Sequence, residues 1–384
     1  MKWSAVRRKL KRVDRAIDKS IASAEIPGAV AGAQMPKGGE TLEFFSERGL
    51  AVLQPERIPM TRRTIFDLAS LTKPIATTTA ILWLVHDGAI GLDDPVSKFL
   101  PTFSERDKDG VTLRHLLTHS SGLKPWRAFH ELLLDKERKT GERLIGTPAA
   151  RESVIDRIVR SALVHEPGAA AVYGDLDFIA LGAVVEAVSH QNLDDFCRER
   201  IFDPLGLRET FFVRTGEAGG LPDPLRRRVA ATENCPWREC VVWGEVHDPN
   251  AYAMGGVAGH AGLFASADDV MKFAQVVLDV WHGRSDALPR DLLRTITERQ
   301  NLPKGSDWAL GWDTPSAGRS SSGQHFGPHS IGHLGFTGTS LWIDLEREAV
   351  VVMLTNRVHL VAKRSRFDLR PTVHDHILDA FLAG

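Results

Sequence analysis

A serine and a lysine three positions apart, Ser70 and Lys73, are side chains whose spacing could support covalent chemistry. A serine hydroxyl is a weak nucleophile that needs a neighbouring proton acceptor. Residues three apart share one face of a helix, so a helical segment would bring the amine to the hydroxyl. Burial would lower the pKa of the lysine and suit it to accept a proton. The alternative is a serine that caps a helix and a lysine that faces solvent.

The Ser-x-x-Lys pattern alone is weak evidence, because the chain contains it a second time at Ser121 and Lys124. Gly122 lies inside this second copy and Pro125 follows it. Both residue types are typical of loops, in which residues three apart need not share a face. We therefore expect a loop at the second copy. The first copy, taken alone, stays open between a catalytic pair and a capping serine with a solvated lysine.

Two more segments place reactive groups at predicted turns. Tyr173 and Tyr252 are the two tyrosines of the chain, and Tyr173 stands two residues before Asp175 at the entry to an apolar segment. The pair could project into a cleft, or Tyr173 could pack in the core while Asp175 caps a helix. His333 lies in a glycine-rich stretch, where the backbone can approach a ligand closely. Ordinary turn chemistry is the alternative there.

Apolar periodicity predicts the elements that would position these groups. Residues 3–24 have the spacing of an amphipathic helix, and residues 28–35 suit a buried strand. A helix that starts near Ser70 and runs to residue 85 is apolar on all sides, so we expect it to be buried. Further predicted elements are helical stretches at 154–164 and 178–188, a hairpin at 340–344 and 350–354, and a final helix at 374–382.

Strands near both ends and a helix-rich middle predict a mixed α/β (α+β) fold, with an antiparallel sheet flanked by helices. We expect residues 1–68 and 255–384 to form one α/β lobe. Residues 69–254 would form an inserted, mainly helical lobe, with the active site in the cleft between the lobes.

Composition excludes several classes of protein. The 384 residues carry 48 Lys and Arg against 49 Asp and Glu, a net charge of −1, so the chain lacks the basic excess of a nucleic-acid-binding protein. Three cysteines are too few for a disulfide framework or a structural zinc site. We predict no metal, no organic cofactor and no membrane span. Without a signal-peptide pattern, a cytoplasmic location is expected unless a leader was removed.

A histidine pair was considered as a metal site. His115 and His119 stand four residues apart on a predicted helix, but no carboxylate joins them in a His-Glu-x-x-His pattern. We therefore expect buried or capping histidines rather than metal ligands.

The order Ser-x-x-Lys, Tyr-x-Asp and His-x-Gly resembles that of the serine β-lactamase and penicillin-binding-protein superfamily. The chain looks most like its class C-type β-lactamase-related hydrolases, which include esterases, D-aminopeptidases and amide hydrolases. The likeness extends from about Pro27 to the end of the chain. Its supporting stretches are FDLASLTK at 66–73, LRHLLTHSSGL at 113–123, YGDLDFIALG at 173–182, GGVAGHAGLF at 255–264 and GFTGTSLWID at 335–344.

The resemblance implies a β-lactamase/transpeptidase-like fold and an acyl-transfer site. Ser70 would attack a carbonyl, Lys73 would accept or relay its proton, and Tyr173 would act as general base and then protonate the leaving group. The backbone amides of Ser70 and Phe336 would form the oxyanion hole. His333 would replace the lysine that many relatives carry. The predicted substrate-binding residues are Asp175, Gly335, Trp126 and Tyr252.

Two departures from the family pattern bear on the substrate. Asp175 stands where β-lactamases usually have asparagine, and its charge would keep Lys73 protonated and shift the base role to Tyr173. A mostly neutral His333 would anchor a substrate carboxylate less well than lysine. We therefore expect an esterase or amidase for small uncharged substrates.

Two alternatives stay open from the sequence. One is a penicillin-recognising enzyme, either a β-lactamase or a D-alanyl-D-alanine peptidase, which would take a β-lactam or peptide substrate. The other is a non-catalytic ligand-binding protein on the same fold. The sequence does not determine the oligomeric state.

Overall fold

The computed structural model describes residues 3–105, 108–215, 220–359 and 368–383. Its strands are β1 (Gly28–Lys37), β2 (Glu40–Val52), β3 (Ile58–Pro59), β4 (Ile65–Asp67), β5 (Phe211–Phe212), β6 (Asn234–Cys235), β7 (Cys240–Val241), β8 (Leu263–Ser266), β9 (Ser330–Leu334), β10 (Ser340–Asp344) and β11 (Ala349–Thr355). The main sheet has the order β3-β2-β1-β11-β10-β9, with neighbouring strands antiparallel. Strands from both ends of the chain therefore build one sheet.

The helices surround this sheet and fill the middle of the chain. They are α1 (Trp3–Ala22), α2 (Thr79–His86), α3 (Leu113–Leu117), α4 (Phe129–Thr140), α5 (Pro148–Val159), α6 (Leu176–Ser189), α7 (Leu193–Cys197), α8 (Asp223–Arg226), α9 (Pro249–Ala253), α10 (Ala267–Trp281), α11 (Arg290–Thr297) and α12 (Leu369–Leu382). No helix among the described residues is long and apolar enough to cross a bilayer.

The sheet is buried on both faces because its central strands carry apolar side chains in both directions. Ala31 of β1 and Met353 of β11 pack in a cluster with α1 and α12. Val30 and Val352, one position away, pack in the opposite cluster, which includes residues of α2, α6 and α10. The expected antiparallel sheet flanked by helices is confirmed.

Most predicted elements are present, with shifted ends. The first helix, the first strand and the β10–β11 hairpin are confirmed. The helix predicted at 154–164 is instead α5, because the Thr147 hydroxyl caps its start and Pro148 occupies the first turn. This helix ends at Val159, whose carbonyl accepts a hydrogen bond from Lys108. The last helix begins at Leu369, five residues earlier than predicted.

The helix-rich middle segment, predicted as residues 69–254, begins and ends at neighbouring strands. Strand β4, just before Ser70, pairs with β8 at residues 263–266. This pairing brings the beginning and the end of the helix-rich segment together. The exact lobe boundaries, after residues 68 and 254, stay a prediction.

Candidate active site

Ser70 lies in a tight turn that starts a buried helical segment. The chain passes from β4 through a 3-10 turn, Ala69–Leu71, and a π-helical stretch, Lys73–Thr78, into α2. Ala69 has a φ of 47°, a conformation that non-glycine residues rarely adopt. The buried Asp67 carboxylate holds this turn, because it accepts hydrogen bonds from the Ala69 N–H at 2.8 Å and the His247 N–H at 2.7 Å. Sequence analysis did not identify Asp67.

Lys73 brings the three predicted catalytic side chains together. Its side chain is fully buried, and its ammonium donates to Ser70 Oγ and Tyr173 Oη, both at 2.9 Å. It also donates to Asp175 Oδ1 at 2.8 Å and to the His260 carbonyl at 3.3 Å. Asp175 makes no side-chain cap on α6, so its carboxylate serves Lys73 instead.

The charge state of Lys73 is set by opposing effects. Burial lowers its pKa, but the charges of Asp175 and Tyr173 and their hydrogen bonds outweigh burial and hold the pKa well above its ordinary value. Burial acts in the predicted direction, but the prediction of a lowered pKa that would suit Lys73 to accept a proton is wrong. The prediction that Asp175 favours the ammonium form is confirmed.

His119 holds Tyr173 from both sides. Its carbonyl accepts the Val172 N–H at 2.8 Å, and its Nδ1 accepts the Gly174 N–H at 3.3 Å. The Tyr173 ring lies edge-on to His119, with ring centres 4.7 Å apart, and stacks on Trp308 at 5.6 Å. Burial, with a smaller contribution from Lys73, lowers the pKa of His119 to about 3, so the imidazole is neutral.

The metal-like histidine spacing has a structural explanation. Helix α3 ends at Leu117, so the prediction of one helix through His115 and His119 is wrong. His119 has a φ of 55° beyond the helix end, whereas His115 forms a capping box with Thr112. The expected buried and capping histidines are confirmed.

A buried carboxyl group supports His119. Asp177 Oδ2 lies 3.3 Å from His119 Nδ1, and the Ser121 hydroxyl donates to Asp177 Oδ1. Burial raises the pKa of Asp177 to about 8. The serine of the second Ser-x-x-Lys copy is therefore part of a buried hydrogen-bond network.

The glycine-rich turn after β9 packs against the turn that carries Ser70. Thr337 and Thr339 donate through their hydroxyls to the carbonyls of Asp67 at 2.9 Å and Leu68 at 3.0 Å. A Cβ on Gly335 would lie 2.6 Å from the Leu68 carbonyl oxygen, so a larger residue would force the turns apart. Within the described residues, the neighbouring Phe336 N–H donates to no intramolecular acceptor.

His333 lies on β9 and faces the same space. Its Nδ1 is 2.8 Å from the Leu334 carbonyl and must donate to it, which leaves Nε2 as an acceptor. Burial holds the pKa of His333 well below its usual value, and the positive charge of Lys73 makes a smaller contribution in the same direction. The ring is therefore neutral, as the sequence predicted.

These groups open into a cavity of about 750 Å³. It is lined by Ala69, Ser70, Trp126, Tyr173, Asp175, Glu233, His247, Asp248, Pro249, His260, Ala261, Trp308, Asp313, His333, Leu334, Gly335, Phe336 and Arg370. The predicted site residues Trp126, Asp175, Gly335 and Phe336 are thus placed together with Ser70. Arg370, on α12, carried no signal in the sequence.

Tyr252, predicted to bind substrate, does not line this cavity. It lies on helix α9, where its ring packs against Trp237, with centres 5.7 Å apart. The Arg238 guanidinium covers the ring at 3.9 Å. The neighbouring loop residues His247 and Asp248 do line the cavity.

Three of the cavity groups could in principle ligate a cation. Atoms of Asp175, Asp248 and His260 lie within 4.8 Å of one another. Asp175 already pairs with the Lys73 ammonium at 2.8 Å, and His260 Nε2 lies 2.9 Å from Asp248. A second cation would be repelled by Lys73, so the donor set does not fit a metal centre.

Comparison with known proteins places this geometry in a family. The sequence model described as "Beta-lactamase" matches residues 13–371. A putative D-alanyl-D-alanine carboxypeptidase of Escherichia coli (strain K12) is 32% identical, with the match covering 80% of this chain and 73% of the relative.

Two solved structures have a similar fold. An octameric penicillin-binding protein homologue from Pyrococcus abyssi has a TM-score of 0.71 at 22% identity, over 97% of this chain and 77% of that chain. A hydrolase with promiscuous acyltransferase activity has a TM-score of 0.68 at 24% identity, over 97% and 99% of the two chains. The chain therefore belongs to the β-lactamase family, as a β-lactamase-related serine hydrolase similar to penicillin-binding proteins.

Proposed function

We propose that the protein hydrolyses a small ester or amide through an acyl-enzyme on Ser70. The observation that carries this proposal is the position of Lys73 Nζ, 2.9 Å from both Ser70 Oγ and Tyr173 Oη at the wall of the cavity. A nucleophile and a proton acceptor that share one cation are poised for acyl transfer.

In the proposed reaction, Tyr173 accepts the Ser70 proton as Oγ attacks the substrate carbonyl. The Lys73 ammonium donates to Tyr173 Oη at 2.9 Å and would hold this oxygen in place during the proton transfer. The amides of Ser70 and Phe336 would hold the oxyanion. Tyr173 then gives the proton to the leaving group, and the reverse sequence with water releases the acid and restores the serine.

The cavity favours an uncharged substrate. His333 is neutral and offers an acceptor nitrogen, so it attracts a carboxylate less than a lysine would. The exposed rings of Trp126 and Phe336 offer apolar surface to an acyl or alcohol group. We therefore place a carboxylesterase or amidase ahead of a true β-lactamase.

A D-alanyl carboxypeptidase is the second candidate function. The name of the Escherichia coli relative favours it. So does Arg370, which lines the cavity and donates to the carbonyls of Gly335 at 3.1 Å and Thr339 at 3.2 Å. Burial lowers the pKa of Arg370 to about 10, so it remains charged at neutral pH and could face a substrate carboxylate.

Mass spectrometry of the intact protein tests the proposal. Incubation with a fluorophosphonate should add one adduct to the wild type and to Ser121→Ala, and none to Ser70→Ala. The absence of an adduct on the wild type would contradict the acyl-enzyme and favour a ligand-binding protein.

A second experiment separates the two candidate functions. The kcat/KM for an acetylated peptide ending in D-alanyl-D-alanine is compared with the kcat/KM for p-nitrophenyl esters. The lifetime of the penicilloyl adduct is measured separately by intact mass. An esterase should have the higher kcat/KM for the esters. It should form no penicilloyl adduct or hydrolyse this adduct rapidly. Efficient release of D-alanine with a lasting penicilloyl adduct would favour the carboxypeptidase.

A further inference from the structure

A second cavity, separate from the proposed active site, is lined mainly by positive charges. Its volume is about 580 Å³. Its lining consists of Lys124, Arg127, Phe129, Ser153, Asp156, Arg157, Arg160, Ser161, Ala162 and Leu176. Four of these side chains are cationic and one is a carboxylate, so the cavity wall has an excess of three positive charges. We refer to it as the basic cavity.

Most of this charge is not neutralised within the protein. Arg160 pairs with Asp156 and Glu105, both at 2.6 Å. Within the described residues, Lys124 and Arg157 have no ion-pair or hydrogen-bond partner through their side chains. The Arg127 guanidinium lies 5.9 Å from the centre of the Phe129 ring. Cations gathered around a concavity without counter-charges favour the binding of an anion.

The apolar residues of the lining offer little surface to a ligand. Phe129 and Leu176 are each about 1% exposed, whereas Lys124, Arg127 and Arg157 are exposed. A ligand would therefore be held mainly by charge. The lining fits a small oxyanion.

A thin wall separates the basic cavity from the proposed active site. Trp126 lines the active-site cavity, whereas its neighbours Lys124 and Arg127 line the basic cavity. The wall is fixed in place, because the Asp175 N–H donates to the Pro125 carbonyl at 2.7 Å. A Cβ on Gly174 would lie 2.6 Å from Pro125 Cα, so the two segments pack without spare room. The two cavities are therefore distinct, and a ligand of one does not occupy the other.

We propose that the basic cavity is a binding site for a small oxyanion, with Lys124, Arg127 and Arg157 as its charged ligands. The proposal is independent of the reaction at Ser70. Phosphate and carboxylate head groups share the required chemistry, and the probes below distinguish them.

Isothermal titration calorimetry of the full chain tests the site. Phenyl phosphate, benzoate and inorganic phosphate are titrated into the wild-type protein and into the variants described below, which distinguish the basic cavity from the active site. Phenyl phosphate and inorganic phosphate should bind within about threefold of each other, because the buried Phe129 and Leu176 leave a phenyl ring little apolar surface to cover. A larger affinity for phenyl phosphate than for benzoate would identify a phosphate head group, and the reverse order would identify a carboxylate.

Matched variants locate the binding. The double variant Lys124→Gln/Arg157→Gln should weaken binding at least tenfold. The control Lys136→Gln/Arg138→Gln removes two exposed charges on α4 outside the cavity lining and should leave the affinity unchanged. Equal losses in the two double variants, or no binding of any probe to the wild type at millimolar concentration, would overturn the proposal.

Discussion

The two Ser-x-x-Lys segments have the same residue pattern and opposite environments. In the first copy, Lys73 is fully buried and its Nζ lies 2.9 Å from Ser70 Oγ. In the second copy, the Ser121 hydroxyl donates to Asp177, whereas Lys124 is exposed at the basic cavity. The difference shows that three-residue spacing brings two side chains together only where the backbone is helical.

A second difference concerns charge. Lys73 is held by Asp175, a residue 102 positions later in the chain, whereas Lys124 has no carboxylate partner in the described part of the chain. A buried ammonium needs such a partner, because burial of an unpaired charge costs several kcal/mol. The distant carboxylate is therefore what makes a buried lysine possible in the first copy.

The largest expected effect comes from exchanging the two serines for alanine. Ser70→Ala should reduce p-nitrophenyl acetate hydrolysis at least about a thousandfold, because it removes the nucleophile. Ser121→Ala should keep the activity but lower the free energy of unfolding by about 1–2 kcal/mol, since Asp177 loses a buried donor. Steady-state kinetics measure the activity and urea denaturation measures the stability. Equal activity of the two variants would contradict the assignment of Ser70, and not Ser121, as the nucleophile.

The two lysines should differ next most strongly. Lys73→Met should lower kcat by about 10²- to 10⁴-fold, because Ser70 Oγ and Tyr173 Oη lose the ammonium that donates to both. Lys124→Met should stay within about twofold of the wild type, since Lys124 does not line the active-site cavity. Circular dichroism of both variants checks the fold. A fully active Lys73→Met would exclude Lys73 from the reaction.

Asp175→Asn should move the alkaline limit of activity to lower pH. Loss of the carboxylate charge lowers the pKa of Lys73, so the ammonium that supports Tyr173 is lost earlier as the pH rises. We expect a shift of about one to three pH units in the profile of kcat/KM. If activity at neutral pH instead rose as Lys73 became neutral, Lys73 itself would be the base.

The network around the second copy should affect how stability depends on pH. The pKa of Asp177 is about 8 in the folded protein against an ordinary value of 3.8, so the unfolded chain releases its proton first as the pH rises. This group therefore makes the protein less stable as the pH increases from about 4 to 8.

Asp177→Asn should flatten the decline in stability over this pH range. One such group contributes at most about 1.4 kcal/mol per pH unit. Urea denaturation at several pH values measures the slope, and Asp94→Asn, at an exposed ion pair with Lys98, is the control. An unchanged slope in Asp177→Asn would show that the buried carboxyl is ionised in the folded protein.

Local pattern was sufficient for the elements whose signals are strong. The apolar spacing of α1 and the continuous apolar runs of β1 and β11 depend on neighbours within a few residues, and all three elements are present. Element ends were less predictable: α5 begins at its Thr147 cap, several residues before its apolar segment becomes evident.

The supporting groups of the site were harder to predict than the site itself. Asp67, His119 and Arg370 act through contacts with residues far away in the chain, and their residue types alone do not distinguish them from ordinary buried polar groups. Tyr252 differs from the other predicted substrate-binding residues, because its ring on α9 packs against Trp237 and Arg238 and does not line the cavity.

The order and identity of Ser70, Lys73, Tyr173 and His333 are written in the chain, as is the glycine at 335 that allows two turns to meet. The protonation states of these side chains are not determined by the local sequence. The proton affinity of Lys73 depends on how much water is excluded and on which charges lie within a few ångströms. The partner groups Tyr173 and Asp175 lie 100 and 102 positions away in the chain. Such through-space effects exist only once the chain has folded, which is why one Ser-x-x-Lys segment became a candidate catalytic pair and the other did not.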